Sequence, residues 1–176
     1  MIQSSGSVTL VLGGARSGKS RHAETICREA GGALIYVATA EARDDEMKAR
    51  IAQHRSDRAA DGWRTIEEPR DLAGILEAEA TPGSVLLVDC LTLWLTNQLL
   101  GDADIDLEID RLCAAVSASS GDVVLVANEV GFGIVPENRL ARAFRDHAGR
   151  LNQRIAALAD RVILVVAGLP VEVKGR

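Results

Sequence analysis

Nothing in this 176-residue chain marks it for export, for a membrane or for a disulfide framework. Its three cysteines, Cys27, Cys90 and Cys113, lie far apart and form no C-x-x-C pair. That spacing speaks against a zinc site or a covalent scaffold and fits a reducing compartment. Each cysteine sits in or beside a helical or strand pattern and is expected to be buried packing, not a nucleophile. No stretch reaches the ~18 apolar residues of a membrane helix, and the first residues lack the basic flank and long apolar core of a secretory leader. A soluble, cytoplasmic protein with no integral membrane segment is therefore expected. The chain also lacks a basic excess, its net charge being −5. This argues against a nucleic-acid surface while leaving room for an anionic substrate held by local arginines. There is no internal repeat, no low-complexity tract and no Asn-Lys-x-Asp tetrapeptide of the kind that guanine-reading switch proteins carry.

What is present is the composition of a globular domain, 47% apolar and 26% charged. The length suits one domain over residues 1–176, with a single core. Apolar runs at Val8–Leu12, Ala33–Ala38, Val85–Val88, Val123–Ala127 and Val162–Val166 read as strands buried on both faces. Helical patterns fall between them, at about Arg21–Ala30, Asp44–Asp57, Asp71–Ala80, Leu91–Leu100, Leu107–Ser117 and Arg139–Ala159. Gly31-Gly32 supplies a helix stop, and Gly101 to Asp104 a polar break. Alternating strand and helix predicts an α/β fold with a mainly parallel sheet flanked by helices on both faces.

The most specific segment is Gly13-Gly14-Ala15-Arg16-Ser17-Gly18-Lys19-Ser20, set between the first strand and the first helix. Its spacing is that of a phosphate-binding loop, which makes the chain a P-loop NTPase candidate. Glycines let backbone N–H groups turn around a triphosphate, Lys19 reaches the β and γ oxygens, and the Ser20 hydroxyl is a Mg²⁺ ligand. Ligands of such sheets sit beyond the carboxyl ends of the strands, so Thr39, Asp89 and Asn128-Glu129 are expected to converge there with the loop. Asp89 follows four apolar residues and is either a second Mg²⁺ ligand or a cap for the next helix. Glu67 and Glu68 end an extended segment as candidate acceptors for a base or ribose, or as solvated carboxylates. Gly131-Phe132-Gly133-Ile134-Val135-Pro136 is too apolar and glycine-rich for an idle loop, and reads as a substrate wall or a subunit contact.

His54 shares a helical face with Met47, Ile51 and Arg58, with Arg50 and Arg58 four residues to either side. A neutral imidazole beside phosphates can attack phosphorus, yet the pattern alone favours a surface histidine on a charged helix. His22 and His147 read as structural or solvent-facing, and most arginines of the last helix as its solvated face.

Taken with Asp45-Glu46-Met47, Trp63-Arg64-Thr65-Ile66-Glu67, Asn128 through Arg139 and Asp146 through Gln153, these residues resemble the bifunctional adenosylcobinamide kinase/adenosylcobinamide-phosphate guanylyltransferases. The resemblance spans nearly the whole chain. It implies a RecA-like sheet, a homotrimer, and two reactions at one nucleotide site with Mg²⁺, ATP and GTP. Adenosylcobinamide is first phosphorylated, and GMP from GTP is then transferred to the phosphate. It also implies that His54 carries GMP covalently, and that Ala38, Thr39, Ala40, Arg55, Arg58, Glu67 and Asp89 lie against the nucleotide with residues 13–20. One position departs: Ala59 follows Arg58 where related chains often carry proline. A P-loop small-molecule kinase without the covalent step is the rival reading.

Overall fold

The computed structural model describes residues 6–41, 56 and 59–175. The helix expected from Asp44 to Asp57 lies, apart from Ser56, outside the described residues, and so do His54, Arg55 and Arg58.

In chain order the elements are β1 (Val8–Gly13), α1 (Lys19–Ala30), β2 (Ala33–Ala38), β3 (Arg64–Glu67), α2 (Leu72–Glu79) and β4 (Ser84–Asp89). They continue with α3 (Leu91–Leu100), α4 (Ile105–Ala118), β5 (Asp122–Asn128), α5 (Arg139–Leu158), β6 (Arg161–Val166) and β7 (Leu169–Lys174). All seven strands form one sheet in the order β3-β2-β4-β5-β1-β6-β7. Every neighbouring pair is parallel except β6 with β7. This is the RecA-like, mainly parallel sheet the resemblance implies. The phosphate-loop strand β1 is separated by β5 from β4, the strand that ends in Asp89.

Successive residues of a strand point to opposite faces, and the core divides accordingly. Leu10, Leu86, Val88 and Leu125 face one layer, packed by Leu72 and Leu76 of α2, Trp94 of α3, Ile109 and Leu112 of α4, and Leu151 and Ile155 of α5. Val11, Leu87, Val124 and Val126 face the other, where α1 supplies Ala23 and Cys27. On this side Trp63 packs edge-on to Tyr36, with ring centroids 6.0 Å apart and planes at 85°. The Arg28 guanidinium lies 5.8 Å from the Trp63 ring centre and pairs with Asp61 at 3.1 Å, which ties α1 to the chain entering β3.

Helix ends follow local chemistry. The carboxylates of Asp71 and Asp104 and the amide oxygen of Asn138 accept from first-turn N–H groups of α2, α4 and α5. Asp104 therefore opens α4 two residues earlier than the expected Leu107, because a residue assigned to the polar break is its cap. A larger difference is β7, which no expectation included. After β6 the chain turns at Ala167 (φ 52°) and Gly168 (φ 80°), both left-handed, the conformation that matches a two-residue hairpin to strand twist. β7 is exposed along its whole length and contains Pro170, so it carries neither the buried apolar run nor the uninterrupted pattern that marks the other strands. Among the described residues no helix is long and apolar enough to cross a membrane.

The three cysteines are unpaired and buried. Burial, with the nearby Glu24 carboxylate adding to it, pushes the Cys27 thiol up to about 12. In the unfolded chain the same thiol titrates near ~8.5. Its contribution to stability is thus complete below the unfolded value and is lost as pH rises towards the folded one. Urea unfolding between pH 8.5 and 10.5 should show stability falling with pH, and Cys27→Ala should make that fall shallower by up to about 1 kcal/mol per pH unit. Equal slopes in the two proteins would refute the assignment.

Candidate functional site

The carboxyl ends of the parallel strands meet along one edge. Register places Gly13 opposite Asn128 and Val165, Asp89 opposite Val126 and Ala38, and Ala38 opposite Glu67. Four strand spacings of about 4.8 Å separate β1 from β3, roughly 19 Å from the phosphate loop to Glu67. Any nucleotide touching both must lie along this edge.

The loop itself connects Gly13, the last residue of β1, to Lys19, the first of α1. Arg16 (φ 56°) and Gly18 (φ 94°) take left-handed conformations that turn it back on itself. The carbonyls of Gly13, Gly14 and Ser17 are engaged. Gly13 O accepts from the Glu129 N–H at 3.1 Å, Gly14 O from the Ser17 N–H at 3.3 Å and from Lys19 Nζ at 3.2 Å, and Ser17 O from the Gly168 N–H at 2.8 Å. With these carbonyls engaged, the α1 N-terminus and the remaining loop amides can form a cradle of donors for an anion. Ser17 Oγ is buried without a partner. It packs over Gly13, where a Cβ would lie 2.4 Å from it and 2.7 Å from Val165 O. Ala15 and Arg16 are exposed, and Lys19 and Ser20, in the first turn of α1, are half-buried. A cavity of about 410 Å³ borders the loop, lined also by Glu129, Phe132 and Val166.

Asp89 ends β4, and its Oδ2 accepts from the Tyr36 hydroxyl at 2.9 Å. Thr39 is fully buried, and its hydroxyl is committed to the backbone of Cys90, accepting from the N–H and donating to the carbonyl, both at 2.8 Å. Its carbonyl accepts from Asn97 Nδ2 at 2.8 Å. Thr39 thus ties the end of β2 to the chain after β4, and Ala38 is buried while Ala40 is half-buried beside it. Glu67 is exposed at the end of β3. Glu68 instead accepts from the N–H groups of Arg70 and Asp71, a local turn ahead of α2. Burial, with Asp89 beside it, raises the Cys90 thiol, which suits packing and not nucleophilic attack.

Not every candidate comes to the edge. Arg154 pairs with Asp110 of α4 at 2.6 Å, and Arg142 donates to the carbonyls of Pro136 and Glu137. Both hold helix α5 and its approach in place. His147 lies within α5, hydrogen-bonded to Arg150 at 3.0 Å. A separate apolar cavity of about 310 Å³, lined by Leu99, Leu140 and Phe144, lies between α3 and α5. Among the described residues no cluster of three His, Cys, Asp or Glu side chains could hold a metal. Two parts of the site had no counterpart in the sequence reading: Tyr36, which orients Asp89, and the Ala167-Gly168 turn behind the loop. The glycine after a strand was the one available signal for the turn.

Residues 9–173 match the family model for cobinamide kinase / cobinamide phosphate guanyltransferase. The chain is 52% identical over 168 residues to the bifunctional adenosylcobalamin biosynthesis protein CobP of Pseudomonas aeruginosa, covering 94% of this chain and 96% of that protein. It is 50% identical over 180 residues to the bifunctional adenosylcobalamin biosynthesis protein CobU of Salmonella typhimurium, covering 94% and 98%. A solved protein from Pyrococcus horikoshii OT3 superposes with a TM-score of 0.56 at 11% identity, over 97% of this chain and 87% of that one, a likeness of fold.

Because no methyl group fits at Gly13, Gly13→Ala must displace Ser17 or the loop. Its affinity for GTP, measured by titration calorimetry, should fall at least about tenfold, ~1.4 kcal/mol. Wild-type affinity in the variant would show that the loop position is not what holds the phosphates.

Proposed function

The chain belongs to the cobinamide kinase / cobinamide phosphate guanyltransferase family, and from that premise we propose that one nucleotide site serves two successive reactions of cobalamin biosynthesis. In the first, the aminopropanol hydroxyl of adenosylcobinamide takes the γ-phosphoryl group of ATP or GTP. In the second, the new phosphate takes GMP from GTP, and pyrophosphate leaves, giving adenosylcobinamide-GDP. The observation that carries this reading is the loop at Gly13–Ser20, with the carbonyls of Gly13, Gly14 and Ser17 engaged by Glu129, by Ser17 and Lys19, and by Gly168. Phosphoryl transfer asks mainly for positioning and charge, which such a loop supplies.

Each residue then has a task. Lys19 and the loop amides hold the β and γ phosphates. The Ser20 hydroxyl and the Asp89 carboxylate are oxygen donors of the kind Mg²⁺ takes, and Tyr36 fixes the carboxylate's orientation. When bound, Mg²⁺ supplies charge neutralisation of the triphosphate. Glu67, with the backbone of Ala38 to Ala40, stands at the nucleoside end of the edge. His54, in the segment after β2, is the nucleophile of the second reaction. Its ring nitrogen attacks the α-phosphorus, the bond from that phosphorus to the bridging oxygen breaks, and pyrophosphate carries away the electron pair. The substrate phosphate next attacks the same phosphorus and the P–N bond breaks, which frees the histidine. In the same reading Arg55 and Arg58, close to it in sequence, contact the α-phosphate. The three buried thiols fit a reducing cytoplasm. The same reading has the chain act as a homotrimer, for which the exposed Phe132 and Ile134 offer apolar surface to cover.

Incubation with α-labelled GTP and Mg²⁺ should leave label on the protein in an acid-labile, alkali-stable bond, and His54→Asn should abolish it. Labelling of His54→Asn at the wild-type level removes the histidine from the mechanism. Transfer of γ-label to adenosylcobinamide by a protein that never acquires α-label identifies a kinase without the covalent step.

A further inference from the structure

Glu129 follows Asn128, the last residue of β5, and neither reaction as written uses its carboxylate. The Glu129 N–H donates to Gly13 O at 3.1 Å, which pins its backbone beside the first residue of the phosphate loop. The half-buried side chain lines the 410 Å³ cavity together with Gly14, Ser17 and Phe132. From α5, the buried Asn152 reaches it, Nδ2 to Oε1, at 3.4 Å. Among the described residues it is the one carboxylate lining this cavity. Asp89 ends the neighbouring strand β4 with one oxygen on Tyr36 and does not line this cavity, and Glu67 ends the far strand β3.

The two reactions differ in one chemical respect. The acceptor in the first is an alcohol, which must lose a proton as it bonds to phosphorus. The acceptor in the second is a phosphate that is already anionic at its attacking oxygen. A general base is therefore required in one reaction and redundant in the other.

We propose that Glu129 is the general base of the kinase reaction. The alcohol oxygen bonds to the γ-phosphorus, the bond from that phosphorus to the β–γ bridging oxygen breaks, and the nucleoside diphosphate leaves with the electron pair. The hydroxyl proton passes to a Glu129 carboxylate oxygen and from there to water. Asn152 is a positioning residue that steadies the carboxylate through its amide. The inference rests on the two-reaction reading above.

The test is Glu129→Gln in the full chain, assayed separately for phosphorylation of adenosylcobinamide and for guanylyl transfer to adenosylcobinamide phosphate supplied ready-made. Phosphorylation should fall about 10²- to 10⁴-fold, the usual share of a general base, with guanylyl transfer kept within about threefold of wild type. The acid limb of the wild-type kinase pH profile should flatten in Glu129→Gln and return in Glu129→Asp. Asn152→Ala should lower phosphorylation selectively and by less. Phosphorylation by Glu129→Gln within about threefold of wild type overturns the proposal. So does an equal fall in both reactions, which would mean that Glu129 shapes the nucleotide grip. Wild-type protein that performs neither reaction instead sinks the functional reading itself.

Discussion

The phosphate loop is held from both sides by the strands that flank β1. From β5 the Glu129 N–H reaches Gly13 O, and from the hairpin after β6 the Gly168 N–H reaches Ser17 O. A loop that must present its amides to an anion faces an electrostatic difficulty, because each peptide that offers an N–H also owns a carbonyl that repels the same ligand. The solution here is to commit the carbonyls of Gly13, Gly14 and Ser17, to the chain after β5, to Ser17 and Lys19, and to the turn after β6. Each such bond contributes about 1 kcal/mol to stability. Its larger effect is that the donors are aimed before any ligand arrives, so binding does not have to order them. The sheet order follows from the same need, since β1 must have a parallel neighbour on each side whose carboxyl end can reach the loop.

That constraint explains the asymmetry of the two layers. On one face four helices, α2 to α5, share a broad apolar core, while among the described residues α1 is the one helix on the other, burying the small side chains of Ala23 and Cys27 with Ile26 packed beside them. Small residues let α1 lie close to the strands, so its N-terminus opens directly from the phosphate loop. The Trp63–Arg28–Asp61 contact then anchors its far end. Helix and loop are braced at both ends, which keeps the dipole of α1 aligned with the edge where charge is bound.

The parts of this design that reside in contiguous residues were legible without coordinates. Strands buried on both faces read as unbroken apolar runs, and the phosphate loop declares itself by spacing alone. Asp89 stood out because four apolar residues precede it. What was not legible depends on distant pairings. Tyr36 finds Asp89 across 53 positions, and nothing in an apolar strand says that its tyrosine will hold a carboxylate. Gly168 meets Ser17 only once β6 lies beside β1, and β7 lacks the burial that gives strands their signature. Thr39 was expected at the edge as a nucleotide contact, and it stands there with its hydroxyl already committed to Cys90.

A single edge that serves two reactions must separate them by position. The sheet does this with a fixed sequence of strand ends: Glu129 beside the loop, Asp89 two strands from β1, and Ala38 and Glu67 further along. In the proposed reading, a triphosphate gripped at the loop has its terminal phosphorus near the Glu129 end and its α-phosphorus towards the nucleoside end, where the same reading has His54 act. On that reading the proton acceptor and the phosphorus nucleophile act at opposite ends of one nucleotide and do not compete for the same group. The alcohol and the phosphate forms of the substrate can then be handled in turn without rebuilding the grip on the nucleotide. Because the strands are nearly incompressible along the sheet, this spacing is a property of the fold, and the chemistry at either end can change while the distance between them stays the same.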